Sequence, residues 1–93
     1  MMRTWRRQIF ECLCIDYLTK SSQKITLYIG AVYYNMSQLL HQMHINEHTE
    51  FLDSHKFIDD IIQTLRMMQM ICIRDGCLHT LDHDRMRGAL IMN

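Results

Sequence analysis

The stretch Met70-Ile71-Cys72-Ile73-Arg74-Asp75-Gly76-Cys77-Leu78-His79-Thr80-Leu81 decides the fold class of this chain. Asp-Gly between two apolar runs is a strong short-range hairpin signal, because the tight two-residue turn needs positive φ at both central positions. A turn at Asp75-Gly76 pairs Arg74 with Cys77, Cys72 with His79 and Met70 with Leu81 on one face. Ile71, Ile73, Leu78 and Thr80 take the other. Both faces are largely apolar, so one meets the chain's own helices and the other needs a further cover.

Ninety-three residues suit one domain, expected to span 1–93, which buries only about 60 to 65% of the surface of its unfolded chain. A hydrophobic fraction of 48% with 22% charged residues belongs to a folded globular protein rather than a disordered tail. The formal net charge is zero, so no overall basic field points to nucleic acid or an anionic membrane. Arg3, Arg6 and Arg7 form a small basic cluster beside Trp5. Direct nucleic-acid binding through it is not the expectation, which is a solvated terminus with one docked tryptophan. No run approaches the ~18 apolar residues of a membrane span, and no secretory leader is recognised. The expectation is an intracellular chain without an anchor, in which Cys12, Cys14, Cys72 and Cys77 are reduced thiols acting as small hydrophobes.

Working outward from the hairpin, Gln8 to Asp16 carries β-branched and aromatic residues with partial alternation and reads as a strand covered on most of both faces, a short helix being the other, less favoured reading. From Ile25, the residues Tyr28, Val32, Met36, Leu39, Leu40 and Met43 recur at three- and four-residue intervals, the pattern of an amphipathic helix. Asp53 or Ser54 is placed to cap a second helix, with Leu52 folding against its first turn and Ile58, Ile61, Ile62 and Leu65 as its buried stripe. After the hairpin, Asp82 or Asp84 caps a last short helix with Met86, Ala89 and Leu90 inward. The predicted order is β-α-α-β-β-α: an α+β fold with three helices on one face of a small antiparallel sheet.

Two constellations have metal-ligand chemistry. His41, His44 and His48 fall at i, i+3 and i+7 and share one face if their helix continues that far, although Gln42, Asn46 and Glu47 make this a polar end where solvated histidines are the simpler reading. Cys72, Cys77 and His79 share the outer hairpin face, with Cys12 or Cys14 available from the first strand, a ligand mix that zinc accepts. Their spacing is not that of paired zinc-binding motifs, and packed thiols are the simpler reading. Catalysis has less behind it. Asp59 and Asp60 diverge by about 100° on a helix, so they form no facing carboxylate pair. No phosphate loop, nucleophile elbow or HExxH motif occurs, and no cofactor is expected.

The element order, the second helix carrying Phe57-Ile58-Asp59-Asp60-Ile61, its passage into a strand ending Ile73-Arg74-Asp75, and the capped last helix together resemble the enhancer of rudimentary homologue family. The resemblance implies a small homodimer, nuclear and/or cytoplasmic, whose two sheets pack face to face and whose grooves receive peptide segments of RNA-processing or chromatin proteins. It implies no catalysis. It places the dimer layer at Met70, Cys72, Cys77 and Leu81, with Phe10, Cys12 and Cys14 of the first strand. The chain departs from the family pattern at Lys24-Ile25-Thr26-Leu27-Tyr28, where an aromatic and acidic cluster is usual. It departs again at Arg85-Met86-Arg87, where a tryptophan usually opens the last helix.

Overall fold

In the computed structural model, residues 5–43 and 54–92 are described. They form α1 (Trp5–Ser21), β1 (Leu27–Tyr28), α2 (Ile29–Gln42), α3 (Ser54–Met67), β2 (Ile71–Arg74), β3 (Cys77–Thr80) and α4 (His83–Met92). The result is a small α+β fold whose antiparallel sheet has the strand order β1-β3-β2. The hairpin has the predicted register, with Cys72 opposite His79, Ile73 opposite Leu78 and Arg74 opposite Cys77. Its turn has φ of 53° at Asp75 and 73° at Gly76, the pair of positive values that a type I′ turn requires. Glycine adopts that conformation without steric penalty, and aspartate tolerates it better than most residues.

The launch of the hairpin is also defined. Gln69 is left-handed at φ 59°, and the N–H groups of Gln69 and Met70 donate to Arg66 O and Leu65 O, both at 3.0 Å. These are the paired bonds of a Schellman cap, whose usual apolar contact joins the residue after the left-handed one to the last helical turn. Met70 and Leu65 are both buried. Met70 therefore belongs to the core rather than to the outer layer in which strand alternation placed it.

α2 buries Val32, Met36 and Leu40 as predicted, whereas Ile25 and Tyr28 precede the helix and are exposed. The reason is β1: Leu27 and Tyr28 pair with Leu78 and Cys77, which holds the chain extended before α2 starts. α3 buries Ile58, Ile61, Ile62 and Leu65, the predicted stripe. At α4 the Asp82 carboxylate accepts the N–H groups of Asp84 and Arg85, each at 3.1 Å, which makes Asp82 the cap. Met86 is fully buried. The predicted roles of Leu52 and Asp53, and those of the side chains of Ser54, Ala89 and Leu90, fall outside what is described.

The correction is at the N-terminal end. Gln8 to Asp16 is not a strand but the middle of α1. Phe10, Cys14, Ile15 and Leu18 are all buried, and their spacing of i, i+4, i+5 and i+8 is one helical face. Exposed Ile9 and Leu13 blur that face and produce the apparent alternation. α1 packs chiefly on α4 and on α2. Arg7 ties it to α3, with its guanidinium 3.5 Å from Asp60 and 5.0 Å above the Phe57 ring. Arg7 thus has a structural place in the helical layer, while Arg3 and the side chains of Trp5 and Arg6 lie outside what is described.

Burial in this layer has a pH consequence. It pushes the Cys14 thiol far above the usual thiol range, and neighbouring Glu11 adds to the effect. An unfolded thiol ionises near pH 8.5 while this native one does not, so its contribution to stability is intact below that pH and declines as pH rises. Tyr33, pushed up to about 12 by burial and by Asp59, joins the decline above pH ~10, where an unfolded phenol ionises. Urea unfolding should therefore show a lower midpoint at pH ~10 than at pH ~8, the slope from Cys14 reaching at most about 1.4 kcal/mol per pH unit. Cys14→Ala should flatten that dependence. An equally steep decline in Cys14→Ala would show that the thiol is not responsible.

Candidate functional site

The sheet leaves one face turned away from the core. Tyr28, Cys77 and Arg74 make a row across β1, β3 and β2, His79 and Cys72 make the next, and Leu81 follows. On the inner face Leu27, Leu78 and Ile71 are buried. On the outer face Cys72, Cys77 and His79 are half-buried, while Tyr28 and Leu81 keep 65% and 54% of their surface exposed. This is the surplus apolar face that the hairpin implied, enlarged by Tyr28 from β1.

Of the seven residues assigned to a dimer layer, only Cys72, Cys77 and Leu81 lie on this face. Phe10 and Cys14 are 1% and 0% exposed, sealed among the helices, because the segment that carries them is helical rather than extended. Cys12 is half-buried on α1, and Met70 is buried at the Schellman cap.

The metal constellations fare differently from each other. Cys72, Cys77 and His79 do share the outer face, but among the described residues no group of three or more Cys, His, Asp or Glu side chains is arranged to hold a metal ion. The four cysteines are free thiols, and the Cys14 side chain is enclosed by the helical core. His41 is exposed near the end of α2. His44 and His48 lie outside the described residues.

Two polar clusters were not legible from spacing. Between α2 and α3, the Tyr33 hydroxyl donates to Asp59, the His55 ring stacks on Tyr33 with centroids 5.1 Å apart, and His55 Nε2 is 3.5 Å from Asp59. Together these contacts link α2 to α3. The second cluster joins the end of α1 to the start of α4: Ser22 Oγ and His83 Nε2 are 2.9 Å apart, beside a cleft of about 190 Å³ lined by Ser22, Ile25, Thr26, Leu78, His79 and Thr80. Nothing local in the sequence brings together residues 61 positions apart.

No helix among the described residues is long and apolar enough to cross a membrane. Comparison with known proteins identified no matching family model, no similar curated protein and no similar solved structure.

Proposed function

We propose that this chain is a non-catalytic adaptor that pairs with a second copy of itself and holds peptide segments of larger proteins, in nuclear or cytoplasmic RNA processing or gene regulation. The observation that carries the reading is the outer sheet face, on which Tyr28 and Leu81 are exposed beside half-buried Cys72, Cys77 and His79. Exposed apolar side chains gathered on one sheet face of a small domain suit an interaction site. A two-fold contact is the commonest way for one surface to cover itself, because each copy offers the other the same patch. Arg74, exposed at the end of β2, sits at the rim, where a solvated charge is compatible with an apolar centre.

The partner class comes from the resemblance to the enhancer of rudimentary homologue family, of which the Phe57–Ile61 helix, the hairpin and the capped last helix remain while the expected element order does not. A small zinc module built on the Cys72, Cys77 and His79 face is the other reading, and it has less support because these three side chains do not converge. Light scattering on a size-exclusion column separates the two readings. The wild type should elute at twice the chain mass at micromolar concentration, and a Tyr28→Asp, Leu81→Asp double variant should elute as a folded monomer with unchanged circular dichroism. A wild type that stays monomeric and binds near-stoichiometric zinc would overturn the adaptor reading in favour of the metal one.

A further inference from the structure

His55 and Asp59 stand one turn apart on α3, at i and i+4, so their side chains leave the helix on one face. His55 Nε2 and Asp59 Oδ2 are 3.5 Å apart, well beyond the ~2.7–2.9 Å of a charge-assisted hydrogen bond. The gap fits a metal ion better than a shared proton. With bonds of about 2.0 to 2.2 Å from zinc to an imidazole nitrogen and to a carboxylate oxygen, this separation subtends roughly 115° at the ion, close to the tetrahedral angle.

Both side chains are also held from α2. The Tyr33 hydroxyl donates to Asp59 Oδ1, the carboxylate oxygen that does not meet His55, and so limits rotation of the carboxylate. The Tyr33 ring stacks on the imidazole with the two planes 30° apart, which positions a His55 side chain that is otherwise 77% exposed. A hydrogen-bonded carboxylate and an oriented imidazole are the outer support that metal ligands ordinarily receive. Asp60 takes no part, since it diverges from Asp59 by about 100° around the helix and faces Arg7.

We infer that His55 and Asp59 chelate one divalent cation of the zinc type, with Tyr33 as a positioning residue. No third Cys, His, Asp or Glu joins the pair among the described residues, so water fills the remaining coordination positions. Such an open site binds far more weakly than a closed four-ligand one. The ligand pair selects the ion: imidazole with one carboxylate suits zinc and its first-row neighbours, whereas calcium and magnesium ask for oxygen ligands. A bound ion ties the first turn of α3 to its second and, through Asp59, to Tyr33 of α2. The site shares no residue with the outer sheet face, and it stands or falls separately from the adaptor reading.

Zinc chloride titrated into the full, tag-free, ¹⁵N-labelled chain tests the site, with the imidazole nitrogens followed in long-range spectra. His55 Nε2 is expected to move to a metal-bound shift, with the amides of Tyr33, His55 and Asp59 following. His55→Ala removes an exposed ring, leaves the buried core intact and should abolish the response of the Tyr33 and Asp59 amides. Tyr33→Phe keeps both ligands and should weaken binding about tenfold; undiminished affinity in that variant would overturn the positioning role. A Cys72→Ser, Cys77→Ser double variant should bind at His55 as the wild type does. Zinc that moves His41 or His79 while His55 stays still, a His55 response that vanishes with the two thiols, or no His55 response at millimolar zinc would each overturn the inference and leave the adaptor reading in place.

Discussion

Phe10→Ala is expected to destabilise the protein by about 3 to 5 kcal/mol, the usual cost of deleting a fully buried aromatic ring and leaving a cavity. A domain of this size has a total stability of roughly 5 to 14 kcal/mol, so the variant should be substantially unfolded in low urea. The assignment behind this is specific: Phe10 is 1% exposed within one chain, packed with Cys14, Ile15 and Leu18 on the inner face of α1. Its contribution belongs to the monomer. The loss should therefore be independent of protein concentration, which urea titrations at two concentrations a hundredfold apart would check. A loss that appears only at low concentration would place Phe10 at a subunit contact instead, as a strand reading of this segment would have it.

Met86→Ala is expected to cost about 2 to 5 kcal/mol, and its consequence should be more local. Met86 is fully buried on a helix of only 10 residues, too short to be stable without packing. Its Asp82 cap contributes roughly 1 kcal/mol, which cannot hold the helix alone. Hydrogen exchange should show α4 amides losing protection first, with α1 following because α4 is its main packing partner, while the β2–β3 hairpin keeps its own. Uniform loss of protection across all elements would show that α4 does not open as a separate unit.

The parts of the fold legible in the sequence were those with one strong local signal. Asp75-Gly76 located the turn and thereby the register of every residue from Met70 to Leu81, since hairpin pairing follows from turn length. The four-residue rhythm of Val32, Met36 and Leu40 and the isoleucine stripe of α3 were equally clear, and position narrowed the last cap to Asp82 or Asp84, between which the hydrogen bonds to Asp82 decide. α1 reads as a strand in sequence because Ile9 and Leu13 are apolar yet exposed, so apolar residues stand on both sides of a helix whose buried face is Phe10, Cys14, Ile15 and Leu18. Only tertiary packing against α4 and α2 selects between strand and helix there. β1 was missed for a different reason: a pair of residues bonded to a strand some 50 positions away leaves no periodic trace.

The candidate site divided in the same way. Cys72, Cys77 and Leu81 could be placed outward from hairpin alternation alone, whereas Met70, placed outward by the same rule, is drawn inward by a left-handed Gln69 that no rule of strand alternation anticipates. Tyr28 joined the outer face only through β1. The cleft at Thr80 depends on where β1 stops and on the meeting of Ser22 with His83, and both are products of long-range contact.

That meeting also bears on how the chain reaches its native state. α3, the Gln69 cap and the hairpin are neighbours in sequence and can assemble without closing a large loop, so they suit an early nucleus. Joining Ser22 to His83 across 61 positions carries a loop-closure cost of roughly 3.5 kcal/mol, met only once the terminal helices α1 and α4 pack together. The fastening of α1 to α4 is therefore expected to form after the unit of α3 and the hairpin and to open before it, an order that hydrogen exchange followed during refolding would check.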